Sequence, residues 1–361
     1  MKAAVLREVG KPLQIEDVQI NKPGPHEVLI RTAAAGLCHS DLHFMEGSYP
    51  TALPAVLGHE SAGVVEAVGS EVRTVKPGDH VITCLSAYCG HCEHCLTGRL
   101  SLCVSPETKR DADDEPRLAS TQGQMQQFLN LSSFAEQMLI HEHACVAIRK
   151  DMPLDRAALI GCSVMTGVGA AIHTSNVRPG DTVAVIGLGG VGLAAVNGAA
   201  IAGAGRIIAI DTVASKSNLA REFGATDFID ASQTDAVKEV MEMTKGGVQH
   251  SFEAIGLAKT AEASFNMLRR GGTANIIGMI PVGQNISLMG AAFLSEKRIQ
   301  GSLMGSNRFP VDMPRLVDFY MSGKLKLDEL ISQRIKLDQV NEGFADMKKG
   351  GLARSVIVFD A

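Results

Sequence analysis

Tryptophan is absent from this chain of 361 residues, and tyrosine occurs 3 times against 37 glycines. A chain so poor in large rings and so rich in glycine is one of tight turns and close backbone approaches. Neither sign of charge dominates. The 34 Lys+Arg and 39 Asp+Glu leave a net charge of -5 with no basic run, so no nucleic-acid partner is expected. The longest apolar stretches break at Gly, Asn or a charge before the roughly 18 residues that mark a membrane helix, so no membrane partner is expected. The opening MKAAVLREVGKPLQI lacks the positive, apolar, small-residue order of a signal peptide, and the expected location is cytoplasmic. No internal repeat, low-complexity tract or heptad is present.

What is present is chemistry-bearing. Hydrophobic residues make up 45% of the chain, and its length suffices for two domains, each with a core. The stretch 33–60, AAAGLCHSDLHFMEGSYPTALPAVLGHE, offers Cys38, Ser40, Asp41, His43, His59 and Glu60. Cysteine and histidine suit zinc, and a catalytic zinc keeps three protein ligands and one open position. Cys38, His59 and the distant Cys162 are the expected three.

Four of the 8 cysteines, Cys89, Cys92, Cys95 and Cys103, form C-x2-C-x2-C-x7-C. Four thiols in one loop can close a tetrahedral structural site. An iron–sulfur cluster is the rival, but its motif ends in C-x3-C-P, whereas here seven residues intervene and Val104 follows. His91 and His94 read as solvated spacers. Cys84 and Cys145 flank strand patterns and read as small buried hydrophobes.

Residues 1–32 and 56–83 read as short strands with frequent turn signals, so the first domain is expected to be mostly β. Residues 104–130 are polar and irregular, and read as a long loop. From Asp155 the texture becomes helical, and then strands alternate with helices, which means a parallel sheet. Leu288–Gly305 reads as strand-rich, with LMGAAFL too apolar for an open sheet edge.

Gly187-Leu-Gly-Gly-Val-Gly192 is G-x-G-x-x-G after the apolar TVAVI and before a helix, with Asp211 about 20 residues on. Gly187 permits the turn, Gly189 admits a pyrophosphate, and Gly192 allows close helix packing. Gly190 and Val191 lie in the same loop. Asp211 can accept from both ribose hydroxyls and would repel a 2′-phosphate, which favours NAD(H) over NADP(H).

Together these residues resemble the zinc-dependent medium-chain alcohol dehydrogenases, over essentially the whole chain. Gly58-His59-Glu60 with Gly63, Gly69 and Val72 looks like that family's zinc signature. The resemblance implies an α/β protein, with a doubly wound parallel Rossmann sheet inserted into a mainly-β GroES-like catalytic domain. It implies a catalytic domain over 1–163 and 304–361, a structural-zinc lobe over 86–104 and a Rossmann domain over 164–303. One catalytic and one structural zinc per chain are implied, with NAD(H) as cofactor. Glu60 becomes a transient zinc ligand and Asp41 the acid behind the ligand histidine. Ser40 touches the substrate oxygen, and His43 ends the proton relay. Lys216 meets the adenosine ribose, Thr166 and Val191 meet the nicotinamide, and His39 and Arg354 meet the pyrophosphate. Leu85, Phe128, Leu129, Met279 and Met304 line the substrate pocket, roomy enough for medium-chain, bulky or aromatic alcohols.

The implied reaction is reversible oxidation of an alcohol to an aldehyde or ketone. A glutathione-dependent formaldehyde dehydrogenase is the alternative among enzymes: Phe44–Leu57 carries only Glu46, against it, while Lys109, Arg110 and Arg117 leave it open. A non-catalytic NAD-binding zinc protein, a redox sensor or structural protein, is the alternative outside them. A homodimer through the Leu288–Gly305 edge is expected, with a dimer of dimers also open.

Overall fold

The strands Thr182–Ile186 and Arg206–Asp211 are apolar on both faces, a pattern that needs cover on both sides of a sheet. In the computed structural model they lie side by side and parallel. The order across the sheet is Asp227–Asp230, Arg206–Asp211, Thr182–Ile186, Val248–Glu253, Leu268–Ile276 and Arg298–Gly301. Counting strands along the chain, this is 3-2-1-4-5-6, the doubly wound dinucleotide-binding order. Helices Gly190–Ile201, Ser217–Glu222, Ala236–Thr244 and Ala258–Asn266 alternate with the strands. The structure describes all residues except Ala112, Gln122, Gly351, Leu352 and Ala361.

The chain divides into two compact units. The parallel sheet belongs to Ser163–Asn307 with Gly323–Leu330; the other unit comprises Met1–Cys162, Arg308–Ser322 and Ile331–Ala361. This second set is mainly β. The long strand Glu27–Gly36 pairs with Ser61–Val68, Gln137–His141 and Arg354–Val358, so the C-terminal strand closes onto the N-terminal half of the chain.

Three expectations change. The stretch 104–130 is not one irregular loop. It contains the hairpin Leu118–Ser120/Gly123–Gln127, added to the sheet through Ile20↔Leu118 and Val56↔Gln127. Leu118 and Met125, each 2% exposed, carry its packing, and the polar GQMQQ around Met125 hides that alternation; Ala112 and Gln122 lie outside the described residues.

Of Leu288–Gly305, only Arg298–Gly301 is a strand, whereas Gly290–Ser295 is a 3-10 helix. GAAF has no period-two alternation, and the turn closes through Ala292 N–H to Met289 O (3.0 Å) and Glu296 N–H to Phe293 O (3.0 Å).

Finally, Leu154–Thr174 is a continuous helical stretch of 21 residues with mean hydropathy 1.5, apolar and long enough by composition to cross a membrane. Its apolar window is 83% buried within the protein, as in a core helix. The glycines that break the run by eye are packing contacts. A Cβ on Gly167 would stand 2.3 Å from Val191 O.

Candidate active site

Asp41 begins the chemistry. It sits in the first turn of helix His39–Met45, with its side chain fully buried. Its Oδ1 accepts from His59 Nδ1 at 2.9 Å and from Gly58 N–H at 3.2 Å, and its Oδ2 accepts from Cys38 N–H at 3.2 Å. One carboxylate thus ties the helix start to the segment before strand Ser61–Val68. With Nδ1 donating to Asp41, the Nε2 lone pair of His59 faces the thiols, as a zinc-binding imidazole requires.

Cys162 lies on a π-helical turn, Ile160–Val164, inside the long helix. Such bulges re-aim side chains and recur at functional sites. Its Sγ is 3.3 Å from His59 Nε2, and the donor atoms of Cys38, His59 and Cys162 all lie within 4.8 Å of one another. Zinc bonds of about 2.0 and 2.3 Å at a tetrahedral centre place an N and an S roughly 3.5 Å apart. The three residues therefore fit zinc. The Cys162 hydrogen bond, helped by the Arg354 guanidinium, outweighs burial and holds Cys38 well below the usual thiol range.

Arg354, assigned by resemblance to the pyrophosphate, is 3% exposed here. Its Nη2 is 3.7 Å from Cys38 Sγ, its Nη1 donates to Leu37 O at 3.2 Å, and its Nε lies 3.6 Å from Glu60 Oε1. Glu60, fully buried, faces this guanidinium. A Cβ on Gly36 would stand 2.8 Å from Glu60 Oε1, so glycine there gives the carboxylate its room.

Ser40 Oγ lies 3.6 Å from Cys38 Sγ, at the edge of the thiol pair. His43 is three residues on along the same helix, with its ring against Tyr49 (6.1 Å). His39 is exposed at the helix start. Phe128 is 3% exposed, its ring edge-on to His59 (6.1 Å) and to Phe44 (4.9 Å). Phe44 was not singled out from sequence, although an aromatic beside His43 on one short helix was the available signal. Leu85 and Leu129 are half-buried in this same unit, whereas Met279 and Met304 belong to the other.

In the four-cysteine segment, Cys92 Sγ is 3.5 Å from Cys95 Sγ and 3.9 Å from Cys103 Sγ, and Cys89 Sγ is 3.9 Å from Cys95 Sγ. Two sulfurs on a tetrahedral zinc stand about 3.8 Å apart, so this set also fits. Backbone N–H groups of His91 and Cys92 bring Cys89 down to about 6, while burial pushes Cys95 up to about 12. A cation among the four would hold Cys95 as thiolate. By contrast, burial raises Cys84 to about 12 against the pull of Ser86, burial with the Glu142 charge raises Cys145 to about 12, and both are inert core thiols.

In the parallel-sheet unit, Gly187 takes φ +90, and a Cβ on Gly192 would meet Gly187 O at 1.7 Å. Gly189 has nothing within 4 Å of its Cβ position, leaving open space beside the first turn of helix Gly190–Ile201. The first-turn N–H groups of that helix, Val191 and Gly192 among them, suit a phosphate. Asp211 is 8% exposed. It accepts from Leu188 N–H (2.8 Å), Val213 N–H (3.0 Å) and Lys216 Nζ (3.0 Å). It therefore braces the glycine loop itself, a role that spacing did not reveal. Thr166 Oγ1 lies 3.7 Å from Met304 Sδ. The backbone of Met279 closes over Gly256, where a Cβ would stand 2.5 Å from Met279 O.

Residues 24–150 match the alcohol dehydrogenase GroES-like domain, and residues 190–321 match the zinc-binding dehydrogenase family. The NDMA-dependent alcohol dehydrogenase of Amycolatopsis methanolica is 40% identical over 100% of this chain and 99% of its own. The S-(hydroxymethyl)glutathione dehydrogenase of Saccharomyces cerevisiae is 38% identical over 99% of this chain and 96% of its own. Among solved structures, benzyl alcohol dehydrogenase from Acinetobacter calcoaceticus superposes with a TM-score of 0.94 at 32% identity, covering 99% of each chain. Full-length matches of this strength, over a chain that carries both cysteine sites and the glycine loop, place the protein in the zinc-dependent alcohol dehydrogenase family of the medium-chain dehydrogenases.

Proposed function

We propose that the protein oxidises primary or secondary alcohols, medium-chain, bulky or aromatic, reversibly to aldehydes or ketones, with NAD+ as hydride acceptor. The observation that carries this reading is the buried trio Cys38, His59 and Cys162, with the Ser40 hydroxyl 3.6 Å from the Cys38 thiol. Zinc held by the trio would supply a Lewis acid that lowers the pKa of an alcohol hydroxyl. Asp41 orients His59 for that task, and Ser40 accepts the hydroxyl proton as it passes its own on, by way of the cofactor ribose, toward His43. Ser40 and His43 lie three residues apart on helix His39–Met45, hence on one face, which suits His43 as the relay's outer base. The four-cysteine segment would hold a second, structural zinc. Asp211, with its carboxylate beside the open Gly189, supports NAD+ over NADP+. A homodimer through the exposed edge strand Arg298–Gly301 is part of this reading, and light scattering tests it.

The glutathione reading is weakened by one observation. Of Lys109, Arg110 and Arg117, the basic residues that left this reading open, the two arginines are bound to Glu27 (2.5 and 2.6 Å). Initial rates with benzyl alcohol, butanol and a formaldehyde–glutathione mixture, each with NAD+, NADP+ or NDMA, test the assignment. Oxidation of the simple alcohols with NAD+ is expected. Turnover confined to the glutathione mixture, or to NDMA, would overturn the substrate or the acceptor respectively.

A further inference from the structure

The segment after Phe128 holds an unusual backbone. Leu129 (φ 46, ψ 43) and Asn130 (φ 62) are both left-handed, as is Ser132 (φ 61). Leucine is disfavoured there, and asparagine is the side-chain-bearing residue that tolerates it best. A backbone outlier of this kind points to a constraint imposed by its surroundings. Here the bend lets Phe128 O accept from both Leu131 N–H (3.0 Å) and Ser132 N–H (3.1 Å). Ser132 Oγ accepts from Phe128 N–H (2.8 Å) and donates to Val56 O (2.8 Å). These bonds seat the Phe128 ring beside His59.

Asn130 does something else. Its Nδ2 donates to Leu85 O at 2.8 Å, reaching the segment that follows strand His80–Thr83. Leu129 packs with the cluster of Leu42, Leu57, Phe128 and Phe134, while Leu85 packs with the separate cluster of Val28, Val65 and Leu131. The Asn130 amide therefore bridges two apolar walls that belong to different parts of the core.

We propose that Asn130 is a positioning residue for substrate selection: its amide fixes the separation of the Leu85 wall from the Phe128–Leu129 wall beside His59, and so sets the girth of alcohol accepted. The proposal rests on the alcohol-oxidising reading above. With the alcohol lying between them, a fixed separation of the two walls favours a flat single ring or an unbranched chain over a fused ring. The bridge acts on the substrate's fit, not on the proton or the hydride.

Two variants test it in the zinc-loaded enzyme. Asn130→Gly keeps the left-handed backbone and removes the amide. Asn130→Asp keeps the shape and sets a carboxylate oxygen against the Leu85 carbonyl. Steady-state constants are measured for benzyl alcohol and 2-naphthalenemethanol. In both variants the ratio of kcat/KM between the two should narrow by about threefold to tenfold, the scale of one net hydrogen bond. The change should come through the alcohol's KM, with cofactor KM and zinc content at parental values, whatever the melting temperature. An unchanged ratio, with or without a lower melting temperature, would reduce Asn130 to a structural residue and overturn the proposal. An equal change in kcat for both alcohols would also overturn it. A parent enzyme that oxidises neither alcohol with any acceptor would instead overturn the functional reading, and this inference with it.

Discussion

Nδ1 of His59 and Oδ1 of Asp41 stand 2.9 Å apart, with both side chains fully buried. That one bond selects the imidazole tautomer, and the same carboxylate anchors the backbones of Cys38 and Gly58. Asp41→Asn keeps the volume and one acceptor but removes the charge that raises the imidazole's basicity. Zinc affinity of the Cys38–His59–Cys162 site should fall about 10–100-fold. Competition with a chromogenic chelator checks this, and parental affinity in the variant would contradict it.

The two cysteine sets should respond differently to loss of one thiol. Cys162→Ala should remove one zinc per chain and nearly all activity while leaving the fold, because Cys162 sits on an already buried core helix. Cys95→Ala should cost solubility or melting temperature. Its segment, 89–103, is a short helix and a 3-10 turn, and the sulfurs link them. A closed metal site of that kind contributes folding free energy directly. Metal analysis and thermal melts separate the outcomes, and loss of the same zinc in both variants would refute the division.

Asp211 bears on cofactor choice in two ways, since its oxygens brace Leu188 N–H and also hold Lys216 Nζ at 3.0 Å. Asp211→Gly removes the acceptor for ribose hydroxyls, removes the repulsion of a 2′-phosphate and frees the lysine. NAD+ binding should weaken about tenfold to a hundredfold, the scale of a charged hydrogen bond, and the NADP+/NAD+ ratio should rise. Initial rates with both cofactors read this directly. An unchanged ratio would mean that Asp211 serves the loop alone.

Much of this was legible because the signals are local or chemically typed. The glycine loop and Asp211 lie within one strand–helix–strand unit, and two of its glycines answer a need that can be named, Gly187 a turn at φ +90 and Gly192 a close approach to Gly187 O. Cys38, His59 and Cys162 are far apart in the chain but are the residue types zinc selects. The hairpin Leu118–Gln127 was illegible because its inward residues, Leu118 and Met125, are isolated among polar ones. The inward turn of Arg354 was illegible for a different reason. A charged side chain carries no mark of burial until its partners, Glu60 and Cys38, are seen around it. Asn130 reads as an ordinary turn residue until its reach to Leu85 is known.

The hairpin's anchor gives a pH-dependent prediction. Glu27, its side chain 6% exposed, accepts from Arg110 Nε (3.0 Å) and Nη2 (2.5 Å), from Arg117 Nε (2.6 Å) and from Gly24 N–H (2.8 Å). Burial alone would raise its pKa, but Arg110, the Gly24 N–H and Arg117 together outweigh burial and hold it below the usual carboxylate range. Arg117 in turn donates to Gln127 Oε1 at 2.6 Å, next to Phe128, so the ion cluster fastens the strand that leads into the candidate substrate wall. A depressed folded pKa means that the stabilisation is complete above the unfolded value, near 4.3, and is lost as pH falls through the lower folded value. Glu27→Gln leaves Arg117, itself 7% exposed, without its counter-charge. The unfolding free energy at pH 7 should drop by about 3 kcal/mol, and the gap between variant and parent should shrink as pH falls below about 4. Urea denaturation at pH 7 and at pH 3.5 measures both, and a gap of equal size at the two pH values would show that the charge of Glu27 is not what fastens the hairpin.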